Sequence, residues 1–120
     1  LIATFDVGLI PFRAGPIAAA ADPLKVYEYA AAGKAVVCSV PLRLDDPDAP
    51  LVTAETPAAF ASAVAAAAAA AAQSPNDSAA REQRIAFARR HTWAARAEQF
   101  LNLIAKERSR GVSPRNPAKP

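Results

Sequence analysis

The stretch Pro23-Leu24-Lys25-Val26-Tyr27-Glu28-Tyr29-Ala30-Ala31-Ala32-Gly33-Lys34-Ala35-Val36-Val37-Cys38 decides the fold. Asp22 just before it is an acid of N-cap type and Pro23 suits a first helical position, so a helix is predicted over residues 23–32. Gly33 is predicted to end that helix as a left-handed C-cap, and the mostly apolar residues 35–40 read as a second strand. Upstream, Val7-Gly8-Leu9-Ile10-Pro11-Phe12 is another short apolar run, closed by proline, and reads as the first strand, buried on both faces of a parallel sheet. Strand, helix, strand in this order predicts a right-handed parallel crossover. The fold class expected is therefore α/β, a partial Rossmann-like arrangement of parallel strands followed by C-terminal helices.

The rest of the chain extends the pattern. Residues 41–50 form an acidic, proline-rich loop, and Leu51-Val52-Thr53 reads as a third short strand. Thr56-Pro57 repeats the N-cap and first-turn proline signal, opening a helix over residues 57–73 with Phe60 and Val64 one turn apart. The alanine run 65–72 belongs to that helix, because alanine has the highest helix propensity, and it carries no chemistry. Residues 74–77 break the pattern. A further helix is predicted over 78–90 with Ile85 and Ala88 inward, and Thr92 caps a last one holding Trp93, Phe100, Leu101 and Ile104. One domain is expected over residues 1–107, and residues 108–120 read as a disordered, basic, proline-rich tail.

Composition narrows the function classes. Hydrophobic residues are 52% of the 120, but alanine supplies much of that share, so the core rests on a few larger side chains. The net charge is +3, and Arg108, Arg110, Arg115 and Lys119 all lie in the tail, which leaves a nearly neutral body. No folded face collects Lys and Arg with stacking aromatics between them, so nucleic acid is not an expected partner. The single Cys38 cannot form an internal disulfide, which is compatible with a reducing compartment, and it reads as an inert core thiol. No signal or spanning segment stands out, and the expectation is a cytoplasmic protein. The chain opens on Leu1, a few residues from an apolar strand, as expected of a piece of a longer protein.

Two charged residues interrupt the decisive helix. Lys25 and Glu28, three positions apart, point about 60° from one another and share one stripe. Lys25 lies in the first helical turn, where a cation opposes the macrodipole unless an anion is near. Ligands of open α/β sheets bind beyond the carboxyl ends of strands, near helix N-termini, and Arg13 after the first strand approaches the same place. A carboxylate at Glu28 suits a pair of sugar hydroxyls. The spacing fits a nucleotide clamp and equally fits an exposed i,i+3 ion pair that binds nothing.

Asp6-Val7-Gly8-Leu9-Ile10-Pro11-Phe12-Arg13, Pro23-Leu24-Lys25-Val26-Tyr27-Glu28-Tyr29 and Ala32-Gly33-Lys34-Ala35-Val36-Val37 resemble the C-terminal, donor-binding domain of GT-B glycosyltransferases, in the large group of bacterial retaining enzymes. The likeness is concentrated in residues 6–37 and extends more weakly to about residue 107, through the helix after Thr56 and the His91-Thr92-Trp93 segment. It implies a parent enzyme that transfers a sugar from a nucleoside-diphosphate sugar to a glycan or lipid-linked acceptor, with retention and without an essential metal or cofactor. The donor-binding set it implies is Arg13, Leu24, Lys25 and Glu28: Arg13 and Lys25 on the diphosphate, Glu28 on the ribose. It also implies that the acceptor domain and the first part of the donor domain lie outside this sequence, so that this piece alone does not catalyse transfer. Two positions depart from the family: Ala35 stands where a proline is common, and Ala20 where a second glutamate is frequent. The Ala20 departure puts a sugar contact from that position in doubt.

Other residues carry less. His91 has no acid, nucleophile or metal partner in its local sequence, and Trp93 at the start of an amphipathic helix reads as core packing. The tail's charges suit weak peripheral contact with anionic lipid, against a solvated terminus as the default. The rival readings are a sugar-nucleotide epimerase of the same two-domain fold and a non-catalytic interaction module in which Lys25 and Glu28 bind nothing.

Overall fold

Three short runs rich in valine, leucine and isoleucine supply the sheet. The computed structural model describes residues 2–44, 46–74 and 78–110. Strands β1 (Val7–Ile10), β2 (Ala35–Cys38) and β3 (Leu51–Thr53) form one sheet in the order β1-β2-β3, parallel throughout. Gly8 pairs with Val36 and Ile10 with Cys38, while Val37 pairs with Val52. The fold is mixed α/β with a small parallel sheet and helices, compatible with a partial Rossmann-like arrangement. Two compact units divide it: residues 1–90, which contain the sheet, and residues 91–120.

Between β1 and β2 run a short helix, α1 (Pro16–Ala19), and the decisive helix, α2 (Leu24–Ala31). Helix α1 has no periodic signal in the sequence, because four residues are too few to show one. Helix α2 is one residue shorter at each end than expected, and its cap differs. Pro23 is the N-cap, with no side-chain cap hydrogen bond, because the Asp22 carboxylate instead accepts a 2.7 Å bond from the Tyr27 hydroxyl. The other end forms as predicted. Gly33 has φ +73°, its N–H reaches Ala30 O at 2.8 Å, and the Lys34 N–H reaches Tyr29 O at 2.9 Å. This paired 5→2 and 6→1 closure requires a left-handed residue, for which glycine has no steric cost.

Side-chain size sets how α2 docks. Val26 and Ala30 are buried against the face of the sheet that carries Ile10, Val36 and Cys38. Tyr29 lies over Gly8 and meets the Phe5 ring edge-on at 5.5 Å. Beside α2 and joined to the same core lies α4 (Ser78–Arg90), whose Phe87 is 1% exposed and stacks on Tyr27 at 5.6 Å. Burying a phenylalanine this fully is worth roughly 3–5 kcal/mol against truncation to alanine. Phe87 and Ala88 are the buried residues of α4, whereas Ile85 is only half-buried, so the inward face is turned slightly from the expected one. The connection over residues 39–50 packs Leu42, Leu44 and Ala49 on the same core, and Asp46 pairs with Arg90 at 2.7 Å.

The opposite face of the sheet is covered by α3 (Pro57–Gln73), which packs on β2 and β1 and is capped by the Thr56 hydroxyl accepting from the Ala59 N–H at 3.2 Å. Phe60 and Val64 are its half-buried large side chains, and Val37 beneath the helix is fully buried. In the second unit α5 (Trp93–Ser109) starts at the Thr92 cap, as expected, but Trp93 is 78% exposed rather than in a core. The helix continues through Arg108 and Ser109 to its C-cap Arg110, so these residues are helical rather than part of a disordered tail. Residues 111–120 of the expected tail, and residues 75–77 of the expected break, lie outside the described residues.

The contact between Gly8 and Tyr29 makes a direct test. A β-carbon at Gly8 would come within 2.6 Å of Tyr29 Cγ and 2.8 Å of Cε2, whereas one at Gly15 meets nothing within 4 Å. Gly8→Ala is expected to destabilise the protein by about 1–3 kcal/mol, and Gly15→Ala by less than about 0.5 kcal/mol, in urea denaturation. Equal midpoints for the two variants would show that Tyr29 does not dock against β1 in this way.

Candidate functional site

Beyond the carboxyl end of β1 the chain turns sharply. The Phe12 N–H donates to Ile10 O at 3.0 Å, and Ser39, just past β2, donates its hydroxyl to Phe12 O at 2.6 Å. This cross-strand bond holds the start of the 11–15 segment beside the sheet. The segment and α1 then enclose a cleft of about 390 Å³, lined by Phe12, Arg13, Gly15, Pro16, Ile17 and Ala21 among others. Its walls are mainly apolar, with Ile17 88% exposed, and Arg13 is the one charged residue among those lining it.

The four sequence-chosen residues separate here. Arg13 lines the cleft, while Leu24, Lys25 and Glu28 are on α2 and do not line it. Leu24 is 55% exposed. Lys25 Nζ donates to Glu28 Oε2 at 2.8 Å, so the i,i+3 pair expected from spacing forms. Lys25 remains 62% exposed, which leaves the pair screened by solvent. The hydrogen bond that the Lys25 ammonium donates to Glu28, and secondarily the negative charge of Glu28, raise the Lys25 pKa above its ordinary value.

Helix α2 begins open. No side chain caps Pro23, so N–H groups of the first turn have no side-chain acceptor at the cap. Ser39 is the positioning residue that sequence reasoning missed. Its signal was available in hindsight only as a lone hydroxyl after a strand, and the partner, Phe12, is 27 residues away.

Other sequence candidates settle simply. Cys38 is fully buried in the core. Among the described residues, no group of three or more His, Cys, Asp or Glu side chains comes together that could hold a metal. No single described helix is long and apolar enough to cross a membrane. Comparison with family models, with curated proteins and with solved structures finds no match for this chain.

The ion pair predicts a titration with a definite sign. Because the folded pKa of Lys25 is raised, the pair's stabilisation is fully present below the unfolded lysine pKa and is lost as pH rises through the folded one. Glu28→Gln is expected to bring the Lys25 side-chain titration, followed by NMR at the Cε and Nζ nuclei, back down toward the ordinary lysine value. An unchanged midpoint would mean the pair does not persist in solution.

Proposed function

We propose that this chain forms the part of a GT-B-type glycosyltransferase that holds a nucleoside-diphosphate sugar, and that the complete enzyme transfers the sugar to a glycan or lipid-linked acceptor with retention. The observation that carries the reading is the Arg13 cleft beyond the carboxyl end of a parallel strand, followed in the chain by a helix whose N-terminus has no side-chain cap. Open α/β sheets bind ligands at this end because strand termini and helix dipoles converge there. The residue pattern over 6–37 supports the family reading, and the cleft beyond the carboxyl end of β1 supports the location.

In this reading the Lys25–Glu28 pair is the resting state of the clamp. The pair keeps an ammonium and a carboxylate 2.8 Å apart on one exposed stripe. A ligand presenting a diphosphate next to a ribose diol replaces both partners: the phosphates take the ammonium, and the two hydroxyls donate to the carboxylate. Arg13 adds a planar, permanently charged donor set on the phosphates. The chain's work is to bind and orient the donor, while the acceptor and its activation belong to the remainder of the enzyme.

A second reading has one observation in its favour. The pair is internally satisfied and does not line the cleft, as expected of a non-catalytic module. Titration of the chain with UDP- and GDP-sugars, read by calorimetry and backbone amide shifts, separates the two. The donor reading expects shifts at Arg13, Lys25 and Glu28, and about a tenfold or greater loss of affinity in Glu28→Ala, the scale of a lost hydrogen bond to a charged group. Absence of any shift at these residues at millimolar donor favours the non-catalytic module.

A further inference from the structure

The amino end of the same sheet carries a second cleft, of about 370 Å³, of opposite character to the first. Three cations converge on it. Lys34 follows the Gly33 turn between α2 and β2. Arg84, one helical turn along α4 from Arg81, donates from Nη1 to Gly33 O at 2.8 Å. Arg81 lies over the same turn, so near that a β-carbon at Gly33 would come within 2.6 Å of its Cγ and 3.0 Å of its Nε. The facing wall is apolar and built of small residues, Ala67, Ala70 and Ala71 of α3 with Val52 of β3.

Charge decides what this cleft suits. Asp6 is the single acid among the described lining residues, against Lys34, Arg81 and Arg84. Among the described residues, neither Lys34 nor Arg81 has an ion pair or a side-chain hydrogen bond, and Lys34 is half-buried. The ends of α2 and α3 account for part of the positive charge, since each helix C-terminus contributes roughly −0.5 of a charge. Arg84 is plainly used in that way, through Gly33 O. The start of α4 offsets one of these with roughly +0.5, and Arg81 sits in that first turn, where a cation is disfavoured unless an anion is present. Among the described residues, about one and a half positive charges then stand uncompensated, close to the −1.5 to −2 of a phosphate monoester near neutral pH.

We infer that the cleft framed by Lys34, Arg81 and Arg84 at the amino end of the sheet binds a phosphate monoester whose apolar body lies against Ala67, Ala70 and Val52. The guanidinium of Arg81 and the ammonium of Lys34 take the phosphate oxygens, and Arg84 holds the turn that positions them. This site is at the opposite end of the strands from the Arg13 cleft and stands independently of the donor-binding reading.

The test titrates the full chain with inorganic phosphate and with phenyl phosphate, followed by backbone amide and arginine Nε shifts. Shifts are expected at Gly33, Lys34, Arg81 and Arg84, with phenyl phosphate binding several-fold more tightly than phosphate because the ring meets the alanine wall. Arg81→Gln and Lys34→Gln remove charges that hold no backbone group, so the fold is expected to survive. Each is expected to weaken binding by about tenfold, the scale of one charge-assisted hydrogen bond, while Lys106→Gln on α5 leaves it unchanged. Sedimentation with phosphatidylcholine vesicles, with and without phosphatidic acid, distinguishes a lipid phosphate from a soluble one. Saturation with neither ligand moving Lys34 or Arg81, or variants that bind as tightly as the parent, would overturn the inference.

Discussion

Packing of α2 against the sheet and against α4 is the contact on which the rest depends. Val26 and Ala30 are small enough to let the helix approach Ile10, Val36 and Cys38 closely, and glycine at position 8 leaves room for the Tyr29 ring. On the adjoining flank of α2, Tyr27 stacks on Phe87, which brings α4 down onto the Gly33 turn. Removing either contact would free α4 and with it Arg81 and Arg84. Sheet, helix and helix therefore act as one small core in which each layer fixes the next.

The two ends of this core differ because different chain segments arrive there. At the carboxyl end, the residues after β1 are mostly small and apolar, and the Ser39 bond to Phe12 holds the first of them beside the sheet, with Arg13 the charged residue among the described ones that line the cleft. At the amino end, a helix C-terminus, a left-handed glycine and α4 come together, and the Schellman closure presents carbonyl groups that attract arginines. Cations gathered for one structural reason then outnumber what the helix ends can balance. A structural motif thereby becomes a charged cleft.

The second face of the sheet is more thinly covered. Helix α3 offers methyl groups rather than large side chains, so Val37 is buried beneath it while Leu9 and Val52 on either side are 42% and 52% exposed. Helix formation here rests on alanine propensity and the Thr56 cap more than on burial, since α3 has no fully buried residue. The same small side chains keep the wall of the cationic cleft open.

Local signals were strong enough to read the elements directly from sequence. The apolar runs at 7–10, 35–38 and 51–53, the Thr56 and Thr92 caps and the Gly33 stop all act within a few residues, so their outcomes follow from covalent geometry and nearest neighbours. Lys25 meeting Glu28 was equally legible, because helical spacing alone brings positions three apart together. Other features depended on contacts distant in the chain. Asp22 abandons its capping role for Tyr27, Phe87 rather than Ile85 takes the buried position, and Ser39 finds Phe12 across the sheet. The meeting of Lys34 with Arg81 and Arg84 was invisible for the same reason: some fifty residues separate them, and only the docking of α4 on α2 makes them neighbours. Sequence by itself determined which segments become strands and helices, since those choices are local. Tertiary packing decided which side chains share a cleft, since that requires the layers to be in place.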